Sequence, residues 1–373
     1  MCNRKFAIVL VLLLSLFTIK VNSQEISLSN NAEVSILTCG TGSEIYSLFG
    51  HTAIRIKDTT NFVDQVYNYG TFDFSTPNFY LRFIKGDLQY LETSCTFEEF
   101  FQEYLYEKRS IDEQVLNLSQ EKKQALFDYL NASLQSDERF YTYKFIDKNC
   151  TTMVINTINK IIGKPVIGIN SSDAQTCRTI LYPYFNNHFY TQLGTSIIFG
   201  NKVDLKSEQL FLPSELYNNI KDLKVDNQPI CKESNKILEV EKTEIPFSWW
   251  NNFYVFCLFF LIVILLNKPS IYKAYFVLLG LLGLFFIFAG FYSMHRELVN
   301  NYNVLLFNPM LFALIYFEIK NNNKWLLYSS VFCIISLLIY IAILINKPYL
   351  GIVAPFIITS GVRLIQLFLK NRR

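Results

Sequence analysis

Residues 143–162 read YKFIDKNCTTMVINTINKII, and both the fold and the chemistry of the first half of the chain turn on them. Val154, Ile158 and Ile161 recur at helical spacing and fall on one face, so the segment after Cys150 predicts a buried helix. Asp147 and Asn149 are both suited to cap its start. Cys150 then stands at or beside the first turn, where unpaired backbone N–H groups carry partial positive charge and favour a thiolate over a thiol. Those groups, with the Asn149 amide, are suitable donors to an oxyanion on an attacked carbonyl. The competing reading is a buried structural cysteine.

A nucleophilic cysteine needs a base. Upstream of the apolar C-terminal part, only His51 and His188 are available. His51 follows Gly50 in SLFGHTAIRI, residues 47–56, where a glycine turn meets a strand and can aim an imidazole from the sheet rim towards a helix end. His188, in PYFNNHFY, has no comparable setting. A third group should orient the ring. The candidates are Asn68 in VYNYGTFDF, Asp64 just before it, and Glu44 in GSEIYSLFGH, and local sequence leaves the choice open.

The rest of the chain divides by hydropathy. Arg4 and Lys5 precede an apolar run from Phe6 to Phe17 and then Val21-Asn22-Ser23, the order of a secretory signal over residues 1–23. Residues 24–245 are mixed in charge and read as an exported domain. They hold Cys39, Cys95, Cys150, Cys177 and Cys231, an odd number, so bridges in an oxidising compartment would leave one thiol free. Ala32–Thr38, Thr52–Ile56 and Gln65–Tyr69 alternate as strands, and the pattern from about Phe97 to Leu134 is helical. Phe100, Tyr104 and Leu105 form one helical stripe there. Residues 225–245 are polar, poorly patterned, and read as a linker. The net charge of +3 gives no reason to expect nucleic acid, and the proposed chemistry requires no metal or cofactor.

Residues 246–373 form the second domain. Five apolar segments, Trp249–Leu266, Ala274–Phe291, Val304–Phe317, Trp325–Ile345 and Leu350–Leu369, predict about five transmembrane helices, the third short and interrupted by Pro309. Lys268, Lys273, Lys320, Lys324, Lys370, Arg372 and Arg373 flank one side and only Arg296 and Lys347 the other. The exported domain is therefore expected outside and the C-terminus in the cytoplasm. The outer connection SMHRELVNNYNVLLFNP, residues 293–309, gathers His295, Glu297, Asn301, Asn303 and Asn308 at the membrane surface. Polar groups at that depth have partners or a task, and they read as a polar floor beneath the thiol or as caps and interhelical bonds.

CGTGSEIYSLFGHTAIRI, VYNYGTFDF, YKFIDKNCTT and FLPSEL, followed by HRELVNNYNVLLFNP, resemble the Lnb family of lipoprotein N-acyltransferases from Bacteroides-type bacteria. Thr41 stands where that family commonly has a proline. A histidine strand before a cysteine helix is also similar to the permuted papain-like order of NlpC-type enzymes. The resemblance implies an α+β exported domain of that kind, fused to an all-α membrane bundle in the bacterial inner membrane. It implies transfer of a fatty acyl chain from a phospholipid, through a Cys150 thioester, to the N-terminal amine of a diacylated lipoprotein. The alternative is a membrane-bound cysteine hydrolase, a peptidoglycan peptidase or phospholipase.

Overall fold

The computed structural model describes residues 26–44, 46–169, 175–240 and 248–372, so the expected signal segment lies outside the described residues. The first half is built on one sheet. Its strands are β1 (Glu33–Cys39), β2 (His51–Asp58), β3 (Val63–Thr71), β4 (Gln89–Thr96), β5 (Ile111–Leu116), β6 (Phe140–Thr142) and, after a short hairpin of β7 (Lys224–Val225) and β8 (Gln228–Pro229), β9 (Cys231–Leu238). Seven of them pair antiparallel in the order β6-β4-β3-β2-β1-β5-β9.

The helices of this half are α1 (Phe79–Lys85), α2 (Phe97–Tyr106), α3 (Gln120–Leu134), α4 (Cys150–Ile162), α5 (Cys177–Leu181), α6 (Phe189–Ile198) and α7 (Pro213–Asp222). Strand alternation sorts the sheet's residues onto two faces. Val34, Ile36, Ile54 and Ile56 pack on one face against Leu126 and Leu130 of α3 and Val154 and Ile158 of α4. Leu37, Ala53 and Val66 face the other way, onto Phe100 and Tyr104 of α2. The sheet is thus sandwiched between helices, and the start of α4 is pressed against β2 at the end that bears His51. Each fully buried aliphatic side chain in this layer contributes roughly 1.5–3 kcal/mol.

The three predicted strands and the helix after Cys150 are present, with three corrections. The helical reading of 97–134 is interrupted by β5, an internal strand. Leu105 is exposed and does not join the stripe of Phe100 and Tyr104. The expected linker at 225–245 is in part a strand: β9 pairs with β5 along the sheet edge. None of its residues is fully buried and half are exposed, so backbone pairing forms it without an apolar pattern.

Five helices follow: α8 (Phe253–Leu266), α9 (Pro269–Tyr292), α10 (Met310–Ile319), α11 (Asn323–Leu344) and α12 (Leu350–Asn371). Pro269–Tyr292, Arg296–Ile319, Asn323–Leu344 and Leu350–Asn371 are long and apolar enough to cross a membrane. The 14-residue α8 extends only about 21 Å at 1.5 Å per residue. In the third segment only α10 is α-helical, after 3-10 turns at Arg296–Leu298 and Tyr302–Leu305 and the bend at Pro309. Short structure was expected there. Phe189 and Leu193 of α6 join the core of this bundle beside Phe256, so the two halves share packed surface. The connections at 293–309 and 345–349 meet the first half, as the distribution of basic residues requires.

Candidate active site

Cys150 is the first residue of α4, and Asn149 is its N-cap. The Asn149 Oδ1 accepts from the Thr152 N–H at 3.0 Å, and Thr152 Oγ1 accepts from the Asn149 N–H at 2.8 Å, a reciprocal capping box. Asn149 Nδ2 donates to the carbonyls of Phe145 and Phe211 at 2.7 and 2.8 Å. The expectation that the Asn149 amide faces an oxyanion is therefore corrected, because both of its donors are engaged in holding loops. The Cys150 and Thr151 N–H groups, at the first two helical positions, have no intrahelical acceptor. Asp147, the other predicted cap, instead pairs with Lys202.

His51 is the first residue of β2. Two contacts set it against the helix. Thr52 Oγ1 and Thr151 Oγ1 meet at 3.0 Å, both fully buried, and the Thr52 backbone N–H bonds the Cys150 sulfur. On the ring's far side His51 Nε2 lies 3.1 Å from Asn68 Oδ1. Asn68 Nδ2 donates to Cys95 Sγ at 3.7 Å, which orients the carbonyl oxygen towards the ring. In the neutral imidazole Nε2 then carries the hydrogen and Nδ1 is the basic nitrogen.

Of the three candidate orienting groups, the structure brings Asn68 alone to His51. Ala53 of β2 pairs with Asn68 of β3, and that register carries the amide to the strand end. Asp64 forms a forked ion pair with Arg55 at 2.7 and 2.8 Å. Glu44 is exposed, and its carbonyl accepts from Ser47 in a turn. Arg55 is the electrostatic partner of Asp64, and Glu44 is left exposed to solvent.

Burial opposes charge on both members of the pair, yet their mutual attraction outweighs it. The Cys150 pKa is held below its ordinary value by His51, by the Thr52 N–H and by the Thr151 hydroxyl. The His51 pKa is raised by Cys150 and by the Asn68 bond. Both directions favour thiolate and imidazolium. The other exported cysteines behave oppositely. Burial pushes Cys39 up to about 12, and it raises Cys95, Cys177 and Cys231 as well. No described cysteine is bridged. Pairing arithmetic therefore does not single out Cys150. Its surroundings do.

Two further residues lie near Cys150: Gly70, which the sequence marks only as a turn glycine, and Tyr141, which it does not mark. Gly70, at φ 98°, sits where the β3–β4 register shifts. A Cβ there would lie 4.0 Å from both Cys150 Cβ and the Tyr141 hydroxyl, and 3.5 Å from the Tyr143 ring. The Tyr141 hydroxyl is buried and has no hydrogen-bond partner among the described residues. Burial and the Cys150 charge both raise its pKa, so it remains a protonated donor without an acceptor. An orphaned buried donor in the surroundings of a thiolate is suited to developing negative charge.

The polar residues of the outer loop are placed otherwise than as a floor. His295 Nε2 bonds the Phe83 carbonyl at 2.9 Å. Glu297 Oε1 accepts from the Ile146 N–H at 3.3 Å, and its carbonyl accepts from Gly200 at 2.6 Å. Asn301 Nδ2 takes the Ile197 and Ile198 carbonyls at the end of α6, each at 2.9 Å. Asn303 Nδ2 donates to Ile197 at 3.0 Å, and its Oδ1 accepts from Tyr340 at 2.7 Å. Asn308 joins Ser336 of α11 at 3.0 Å and caps Met310. The cluster is a lock between the halves, because helix-end carbonyls at the boundary compete for these amides. Glu297 comes nearest the thiol, because Ile146, whose N–H it accepts, stands four residues before Cys150.

No curated protein and no solved structure matches the chain. The family model described as the Lnb N-terminal periplasmic domain matches residues 21–182, a span that contains His51, Asn68, Tyr141 and Cys150. With apolar helices behind it, this is a multi-pass membrane protein with a periplasmic domain. The chain carries, over residues 21–182, the N-terminal periplasmic domain of the Lnb family.

Proposed function

We propose that the protein is a lipoprotein N-acyltransferase of the inner membrane, with Cys150 as nucleophile, His51 as acid and base, and Asn68 as the group that orients the ring. One observation carries the reading most: the single exported cysteine with a depressed pKa is the one paired to a histidine held by an amide. It also sits in a domain interlocked with membrane-spanning helices. In the first half-reaction the Cys150 thiolate attacks the acyl ester carbonyl of a phospholipid. The C–O bond breaks, His51 gives its proton to the departing alkoxide, and a thioester and lysophospholipid result. The α-amine of a diacylated lipoprotein then attacks the thioester. The C–S bond breaks, an amide forms, and His51 receives the amine's proton while the thiolate returns.

In both tetrahedral intermediates the oxyanion is stabilised by the Tyr141 hydroxyl and the free N–H groups at the start of α4. Cys150 is only 9% exposed, and a thioester at that depth is shielded from water, which favours transfer over hydrolysis. Mass spectrometry of a lipoprotein's N-terminal peptide tests the assignment in cells carrying the wild-type chain, Cys150→Ser or His51→Ala. The wild-type chain yields the N-acylated peptide. Both variants lose it, the serine because its hydroxyl stays protonated beside the same base. Full N-acylation by either variant removes the proposed pair.

A further inference from the structure

Helix α1, FYLRFIK, has no buried residue. Tyr80, Leu81, Phe83 and Ile84 are between 50 and 74% exposed, and Phe74 just before the helix is 65% exposed. A water-facing surface of this kind is unusual for an isolated soluble domain. Its location removes the anomaly. Ser293 Oγ donates to the Ile84 carbonyl at 2.9 Å, the Met294 N–H to the Lys85 carbonyl at 2.7 Å, and His295 holds the Phe83 carbonyl. These three residues directly follow the last turn of α9, a membrane span whose final residues, Phe291 and Tyr292, are also exposed. The carbonyl end of α1 is therefore fixed at the height where a transmembrane helix leaves the bilayer. Gly86, at φ 78°, lets the chain turn there: a Cβ would come within 3.0 Å of the His295 ring.

Behind α1 the aromatic side chains are continuous. Phe79 stacks with Phe74 at 4.8 Å and Phe72 at 5.9 Å, Phe72 meets Tyr90 at 5.4 Å, and Tyr90 stacks on Tyr143 at 4.5 Å. Tyr143 and Cys150 both lie within 4.0 Å of where a Cβ on Gly70 would stand. A contiguous run of packed aromatic side chains thus links α1 at the membrane boundary to the residues around Cys150. Arg82 is exposed on α1, and the neighbouring Lys85 is paired with Asp87.

We propose that α1 lies in the outer interface of the bilayer and admits the acyl donor: a glycerophospholipid enters beside Leu81 and Phe83, its phosphate meets Arg82, and one acyl chain parts the aromatic side chains behind α1 to reach Cys150. The occupant is a bilayer lipid because the patch is continuous with the membrane-spanning surface and pairs apolar residues with a cation at headgroup height. This rests on the acyltransfer reading for its purpose, but the arrangement can be tested by alkylation alone.

The full-length protein in phospholipid vesicles is exposed either to a phospholipid with an α-bromoacyl chain, whose bromide the Cys150 sulfur displaces, or to water-soluble iodoacetamide. Modification of the Cys150 peptide is followed by mass spectrometry. Replacing Leu81 and Phe83 together by aspartate removes apolar contacts worth a leucine's burial or more, so labelling by the lipid probe falls about tenfold or further. Labelling by iodoacetamide is unchanged. Phe83→Leu, which keeps the surface apolar, retains the wild-type ratio of the two rates. Unchanged labelling by both probes in the double variant overturns the proposal. An equal fall with both also overturns it, because α1 would then shape the thiol rather than admit lipid. Neither readout requires acyl transfer, so a failure here is separate from N-acylation surviving the loss of Cys150.

Discussion

At Cys150 the protein places a thiol at a helix start, sets a histidine against it, and holds the histidine from behind through Asn68. The proposed reaction needs thiolate and imidazolium together. It exists between the lowered pKa of the cysteine and the raised pKa of the histidine, values that belong to the pair. Asn68 is one of the contacts that raise His51. Asn68→Ala removes it, so the alkaline limb of the pH–rate profile moves to lower pH, and the rate drops roughly tenfold to hundredfold, at the low end of general acid–base contributions. An unmoved alkaline limb would contradict the orienting role. Tyr141→Phe removes the unpartnered hydroxyl. Turnover falls about hundredfold, the size of one lost oxyanion donor, while the pH dependence of Cys150 alkylation stays as in the wild type. A shifted alkylation profile would instead mean that Tyr141 tunes the thiol. His51 and Cys150 were legible because each is marked locally, by the Gly50 turn and by the cap before a periodic helix. Asn68 could not be separated from Asp64 and Glu44, since the choice depends on the β2–β3 register. Tyr141 was invisible, because its approach to Cys150 depends on how β6 and the loop before α4 fold onto Gly70 of the distant strand β3.

Elements with a clean apolar period were readable and the others were not. β1, β2 and β3 alternate against helices on two faces, so their side chains report them. β9 is an edge strand with a solvated surface, and its formation rests on hydrogen bonds to β5, which leave no trace in composition. β4 was hidden for a different reason, because it carries Glu92 into the core. Glu92 is 2% exposed, and Ser133 of α3 donates to it at 2.5 Å. Burial pushes its pKa up to about 7, against the weaker opposing effect of bonds from Ser133 and Tyr69. A carboxyl raised in the folded state favours folding at acid pH, and that contribution is lost as pH climbs from the unfolded value through about 7. Glu92→Gln removes the ionisation. At pH 8 it stabilises the protein by up to about 3 kcal/mol, with little change near pH 4.5, which melting curves at the two pH values resolve. An equal shift at both would place the effect elsewhere.

Over the whole molecule, the membrane helices and the thiol domain are joined by buried polar contacts. Asp204 receives Arg178 at 2.8 Å from its own half and Lys347 at 3.1 Å from the α11–α12 connection. Tyr302 donates to the same carboxylate. Arg178 is 2% exposed and lies over the Tyr349 ring. Asp204→Ala leaves this guanidinium buried without its carboxylate, at about 3–5 kcal/mol. The expected outcome is earlier proteolysis at the junction, with transfer between membrane-borne substrates impaired more than alkylation of Cys150 by a small soluble reagent. The outer loop's polar residues could be picked out from sequence by their depth. Their use as a lock depended on which helix ends they would meet, and that is a property of the assembled halves.

The central claim is that acyl groups pass through the sulfur of Cys150 under control of His51. Purified full-length protein, incubated with phospholipid vesicles and no lipoprotein, is digested and its cysteine peptides weighed. The account predicts an acyl group on the Cys150 peptide that hydroxylamine removes, that disappears when a lipoprotein amine is added, and that fails to form in His51→Ala. N-acylation of lipoprotein without any acyl group passing through Cys150, or an acyl group lodged on Cys39, Cys95, Cys177 or Cys231 instead, would contradict it.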